Sequence, residues 1–210
     1  MNYNEITSLA LSYSDREDDE VIDRVDDFLR MAEARINRAF RVRKMATRAT
    51  LAMVEGQSYY GVPSDFSGIR DIEIYENTNP NSKITLKYLS PEQMNEFISK
   101  VNSGHVGERI FYTIIADQLQ IAPTQDSDKK MEIVYYQSLK PLGEANPENW
   151  VSIYVPDAYV NGLLVEISAF TKDAKTAMLW DQRFVASLDE VKSEDSVDRW
   201  SGTALEVRVG

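Results

Sequence analysis

The spacing of apolar residues changes twice along this chain, and the two changes set what it can fold into. Over residues 20–45 the apolar positions are Val21, Ile22, Val25, Phe28, Leu29, Ala32, Ile36, Ala39 and Phe40. That three-four recurrence puts one stripe on a helix. Over 48–137 the period shortens to two, with Ile72 and Ile74 alternating against Asp71 and Glu73. Alternation of this kind marks half-buried strands. From Pro156 the helical spacing returns, first in Ala158, Tyr159, Leu163, Ile167 and Phe170, then in Ala177, Met178, Leu179, Phe184, Val185, Leu188 and Val191. A striped helix must cover its stripe with another element. The first and last helical stretches are therefore expected to close on each other, with the strands as an insert. The expected class is α+β: an antiparallel helical bundle with an inserted antiparallel β domain and an extended C-terminal tail. The expected boundaries are 1–47 for the N-terminal helices, 48–138 for the β-rich domain with one helix, 139–155 for a loop, 156–192 for the C-terminal helices, and 193–210 for the tail.

Local signals fill in the plan. Residues 2–13 suit a short first helix, and 20–45 one long helix whose acids come early and bases late, as the helix dipole favours. Residues 50–54 and 58–62 flank Glu55-Gly-Gln57 as a plausible hairpin. Residues 77–82 form a turn cluster and 84–89 a further strand. Ser90-Pro-Glu-Gln93 reads as a helix start, with Ser90 as cap, Pro91 at the first position and Gln93 closing a capping box. Ala116-Asp117 joins two strands as a second tight hairpin.

The last segment reads differently. In Trp200–Val209, Leu205, Val207 and Val209 share one face, while Ala204, Glu206 and Arg208 share the other. It follows a polar spacer, 193–198. An unpaired strand needs backbone partners, on its own chain or another, and strand addition to a partner's sheet edge is one recognition mode. Trp200 suits an interface anchor, since tryptophan and arginine are common there; packing on its own last helix is the alternative.

Few residues suggest chemistry. The single histidine, His105, sits between glycines with no nucleophile motif around it. Gly104-His-Val-Gly107 lacks the ending of a phosphate loop. The acids at 15–20 start like a calcium loop, but Glu20 stands where such a loop needs glycine. There is no cysteine, which removes disulfides, thiolate chemistry and most structural zinc sites. No catalytic, cofactor-binding or metal-binding set is expected. No apolar run approaches the ~18 residues of a membrane span, and the first residues do not read as a signal peptide. The net charge of −11 disfavours a surface that grips phosphate. It leaves open one past which DNA slides without sticking. The basic residues Arg35, Arg38, Arg41, Arg43, Lys44 and Arg48 either complement the helix dipole, or meet DNA or an acidic partner, or pair with acids on another copy of the chain. In a ring, the acidic start of one helix and the basic end of the next, Arg35, Arg38, Arg41 and Arg43, are expected to meet. Such exposed pairs set register more than affinity.

Segments throughout the chain resemble the head-to-tail connector, or adaptor, proteins of tailed, especially short-tailed, bacteriophages. They are Ala34-Arg-Ile-Asn-Arg-Ala-Phe40, Tyr59-Tyr-Gly-Val-Pro-Ser-Asp-Phe66, Leu119-Gln-Ile-Ala-Pro-Thr-Gln125, Met131-Glu-Ile-Val-Tyr-Tyr136, Val155-Pro-Asp-Ala158 and Arg199-Trp-Ser-Gly-Thr-Ala-Leu-Glu-Val-Arg208. The resemblance implies a structural virion protein of the neck, assembled in the host cytoplasm. It implies a ring, typically of twelve copies, below the portal protein, on which tail nozzle and fibre proteins assemble. Double-stranded DNA would pass non-specifically through the channel. Cofactors and membrane contact are not expected. Arg199, Trp200, Leu205, Val207, Arg208 and Val209 are then the expected contacts with the portal or a neighbouring subunit. Two other readings stand beside this one: a hydrolase acting through carboxylates, and a monomeric binding module whose tail pairs with its own sheet.

Overall fold

The computed structural model describes residues 1–16, 18–39, 41–102, 109–125 and 129–200, with backbone alone at 102 and 197–200. Its helices and mainly antiparallel strands make an α+β protein. Contacts divide it into two compact units. The first is Met1–Met45 with the chain from Leu139 onward; the second is Ala46–Ser138.

The first unit opens with α1 (Tyr3–Ser14), α2 (Asp19–Ile22), α3 (Val25–Ala39) and a 3-10 turn, Arg43–Met45. Asn2 starts α1 with a full capping box: its Oδ1 accepts from the Glu5 N–H, and Glu5 accepts from the Asn2 N–H, both at 2.9 Å. The single long helix expected over 20–45 is thus two helices and a turn. The break at Asp23 has an electrostatic reason. Asp23 lies four residues from Asp19 and three and four from Asp26 and Asp27, spacings at which like charges oppose a helix. Val21 and Val25 are buried on either side of it, so the apolar stripe survives the break.

In the second unit, β1 (Ala46–Ala52), β2 (Tyr59–Gly61), β3 (Phe66–Glu76), β4 (Asn79–Thr85) and β5 (Lys87–Tyr88) precede α4 (Pro91–Asn102). Then come β6 (Phe111–Ile115), β7 (Gln118–Ala122) and β8 (Lys129–Gln137). They form two four-stranded sheets, ordered β1-β8-β3-β4 and β2-β7-β6-β5. Alternate residues of both sheets, among them Ile72, Ile74, Met131 and Ile133 from one and Leu119 and Ile121 from the other, build a single core. The Ala116-Asp117 hairpin is present, linking β6 and β7, with Ala116 at φ 52°. So is the Ser90 capping box: Gln93 N–H donates to Ser90 Oγ at 3.3 Å and Ser90 N–H to Gln93 Oε1 at 3.1 Å. β5 and β6 are parallel, which requires a crossover, and α4 provides it.

The expected 50–62 hairpin is not formed. Gly56, at φ +74°, does turn the chain, but it carries it from one sheet to the other: β1 pairs with β8 and β2 with β7. The turn cluster shortens too, since Asn79 onward is strand. The strand expected over 84–89 is split between the sheets at buried Leu86.

The first unit resumes at Leu139 and holds α5 (Trp150–Tyr154), α6 (Pro156–Phe170) and α7 (Ala174–Trp200). α6 is its centre. Ala158, Tyr159, Leu163, Leu164 and Ile167 are all buried, and α1, α3, α5 and α7 pack around it. Gly162 allows the closest approach: a Cβ there would lie 2.9 Å from Ala32 Cβ and 3.2 Å from Phe184 Cε2. Two expectations are corrected here. The 139–155 loop contains α5, started by a capping box between Asn149 and Ser152. The spacer and the tail's first residue, 193–200, are helical. The apolar stripe ends at Val191, so periodicity carries no signal beyond it. Asp195 instead secures the extension, accepting from the Arg43 N–H at 2.9 Å and Nε at 3.2 Å.

Candidate interaction surfaces

The basic end of α3 has two kinds of arginine. Arg35 points inward: it pairs with Asp181 of α7, lies 3.9 Å from Glu166 of α6, and stacks its guanidinium over the Phe184 ring at 4.6 Å. Arg43 is held by Asp195. Both therefore have partners within their own chain. Arg38 and Arg41 are exposed. Arg38 lines an open groove between α3 and α7 with Val185, Leu188, Asp189 and Lys192.

On the other flank of α7 lies a broader groove of about 580 Å³, bordered by α1 and α6. Tyr13 stacks on Trp180 there at 6.2 Å between ring centroids, and Arg183 sits over Trp180 at 4.9 Å.

A third surface gathers where α5 meets the 3-10 turn and α7. Val42, Arg43, Lys44, Trp150, Tyr154, Val155, Val191, Glu194 and Asp195 line a cleft of about 390 Å³. Lys44 Nζ stands 3.7 Å from the Tyr154 ring centroid and 5.9 Å from that of Trp150, an ammonium over two aromatic faces. Tyr154 is 67 % exposed and Ile153 is exposed beside it. The sequence offers little sign of this cleft, because α5 is too short to show a period and its lining comes from three separate stretches.

Two carboxyl groups are pushed up by burial, and each has a structural partner. Glu33 of α3 is 6 % exposed; its Oε1 accepts from the Leu142 N–H at 2.7 Å and the Tyr159 hydroxyl at 3.0 Å. Burial outweighs these bonds and raises its pKa. Glu33 in turn helps hold the Tyr159 phenol far above its ordinary value, after burial itself. Glu166 is raised by burial, against the pull of Arg35. Among the described residues no group of three or more His, Cys, Asp or Glu is placed to hold a metal ion. No described helix is long and apolar enough to cross a membrane.

Of the expected contact residues, Arg199 and Trp200 fall in the last turn of α7. Leu205, Val207, Arg208 and Val209 lie outside the described residues, as does His105.

The sequence matches the family described as SU10 adaptor protein over residues 1–208. The chain belongs to the SU10 adaptor protein family. This is a family of phage head-to-tail adaptors, structural proteins rather than enzymes. An adaptor of this kind works in the neck of the virion. Comparison with curated proteins finds no match. For an SU10 adaptor the surfaces that matter are those that meet head and tail components.

Proposed function

We propose that this SU10 adaptor forms a ring, of twelve copies, beneath the portal of the filled head and carries the tail nozzle and fibres. Double-stranded DNA passes through the ring. The observation that carries this reading is the family match over residues 1–208. The net charge of −11 supports the DNA path, since a channel lined by acids repels phosphate and reduces sticking.

We read the two units as an antiparallel helical bundle carrying an inserted β domain. Copies meet through heterologous contacts, as any closed ring of one chain requires. The acids of α1–α3 on one copy face bases of the next. We assign that role first to Arg38, which is exposed at the groove beside α7, whereas Arg35 and Arg43 bind within their own chain. The segment from Arg199 through Trp200, Leu205, Val207, Arg208 and Val209 docks on the portal or on an adjacent adaptor.

The experiment mixes the purified protein with portal rings and examines the product by electron microscopy. A second ring stacked on the portal is expected. Bare portal rings under assembly conditions overturn the reading.

A further inference from the structure

The two sheets of the second unit end in four edge strands, and all but β1 are guarded. β2 has three residues, among them Gly61, and β5 has two. β4 carries Lys83 and Pro80, which has no N–H, and its register with β3 shifts beside Tyr75. Short length, proline, lysine and irregular register are the usual means of keeping foreign strands off a sheet edge. β1 has none of them. Its seven residues hold one unbroken register against β8, and Arg48 is their single charge. The direction of its free backbone groups follows from one bond. Met53 N–H donates to the Lys129 carbonyl at 3.0 Å, which continues the register of β1 on β8 and marks a hydrogen-bonded pair. Such pairs alternate along an antiparallel ladder. Ala49 and Leu51 therefore bond to β8, while the N–H and C=O groups of Arg48, Thr50 and Ala52 point the other way, about 6.8 Å apart. Among the described residues these outward groups have no hydrogen-bond partner.

We propose that β1 is the landing edge for an extended segment of a head or tail component, which lengthens the four-stranded sheet by one strand. The inference rests on the reading of this chain as an assembly protein and supplies the chemistry of one contact. The free groups select the kind of occupant. Donors and acceptors at strand spacing are matched by an extended backbone, whereas a helix already pairs its own backbone groups. The surroundings of the edge select the side chains. On the solvent face, Arg48 lies 3.4 Å from Glu132 yet its side chain stays 71 % exposed. Ala52 lies opposite Lys130 of β8, and between these two Thr50 lies opposite Glu132. Opposite charges favour neighbours across strands and like charges oppose them. An added strand thus fits with acids beside Arg48 and Ala52 and an uncharged residue beside Thr50. On the other face, Ala49 and Leu51 pack on the core but are only partly buried, so the two intervening residues are apolar. The matching pattern is acid, apolar, threonine, apolar, acid.

The probe is the end-capped peptide Glu-Val-Thr-Val-Glu, which reads the same in either direction. It is added at about 1 mM to full-length protein, a concentration suited to a contact of a few hydrogen bonds, and amide hydrogen exchange is followed by NMR. In the free protein the amides of Arg48, Thr50 and Ala52 are expected to exchange at least tenfold faster than those of Ala49 and Leu51, which β8 protects. The peptide is expected to slow the three outward amides at least twofold, as occupancy near half saturation requires. Val-Val-Thr-Glu-Glu, of the same composition without the alternation, and Lys-Val-Thr-Val-Lys, of reversed charge, are expected to slow them less. Equal effects of the three peptides, or no effect of any, overturn the proposal. Thr50→Pro removes the central outward donor and spares the ladder to β8, since proline is tolerated where the N–H of an edge strand faces solvent. It is expected to keep a cooperative urea transition and to lose the response at Arg48 and Ala52; an undiminished response counts against the edge. Arg48→Glu, which leaves the backbone as it is, is expected to shift the preference toward the lysine peptide, and an unchanged preference refutes the charge match. Outward amides that are protected in the free protein, or become so as protein concentration alone rises, assign the edge to this chain itself and overturn the proposal as well. Stacking on portal rings is scored alongside. Stacked rings with an edge that ignores the peptide sink the edge alone; an edge that takes the peptide in protein that never stacks sinks the adaptor ring and leaves the edge standing.

Discussion

At the scale of single residues, the helical unit depends on a missing side chain and on a buried carboxyl. Gly162 sits where α3, α6 and α7 converge, with Ala32 Cβ 2.9 Å from the position of its absent Cβ. Alanine is the better helix former by about 1 kcal/mol, but overpacking a tight contact costs about 1–3 kcal/mol. Gly162→Ala is therefore expected to lower Tm in a thermal melt, and adding Ala32→Gly to restore most of the loss. Glu33 gives a pH signature. Its folded-state pKa lies above the ordinary carboxyl value, so its contribution to stability is full below the unfolded pKa and fades as pH rises through the folded one. Both of its hydrogen bonds end on Oε1, an atom that an amide reproduces. Glu33→Gln is expected to match the wild type near pH 4 and to exceed it at pH 7 by about 1 kcal/mol, as when a buried charge is removed and its bonds are kept. Urea unfolding at the two pH values measures the difference. Neither residue stands out in the sequence. Glycine in a helix and glutamate among alanines look ordinary until the partner helices are placed.

At the scale of elements, the sequence reveals faces better than partners. Alternation told that Ile72 and Ile74 of β3 turn inward, as they do, yet nothing in a period of two names the strand across the ladder. A turn at Gly56 suggested the nearest neighbour; the chain chose β8 and β7, more distant in sequence. The end of α7 was illegible for a different reason. Its last turns hold no apolar stripe, and their anchor is a polar bond from Asp195 to Arg43. Arg35 shows how strongly such polar anchors tie elements together, since one guanidinium joins α3 to α6 and α7. Arg35→Ala leaves two carboxylates facing each other with no cation between them. A loss of about 1–2 kcal/mol is expected, discounted for partial exposure from the value for a fully buried pair. A double-mutant cycle with Asp181→Ala should recover part of it; strict additivity would show that the pair contributes nothing.

At the scale of the whole molecule, two cores are built from one chain, and the sequence announced that much through its changes of period. The core of the second unit is drawn wholly from its own residues. Residues 46–138, expressed alone, are therefore expected to unfold cooperatively in urea; a gradual, featureless transition would contradict this. What the sequence withheld was how the chain gets in and out. β1 begins and β8 ends side by side, with Ala46 directly opposite Tyr136. Facing residues of an antiparallel pair lie only about 5 Å apart, so the second unit begins and ends at nearly the same place. Ends that close make it a graft point. Any domain whose own ends meet, such as a fluorescent protein or a foreign binding module, can replace residues 46–138 without stretching the helices on either side.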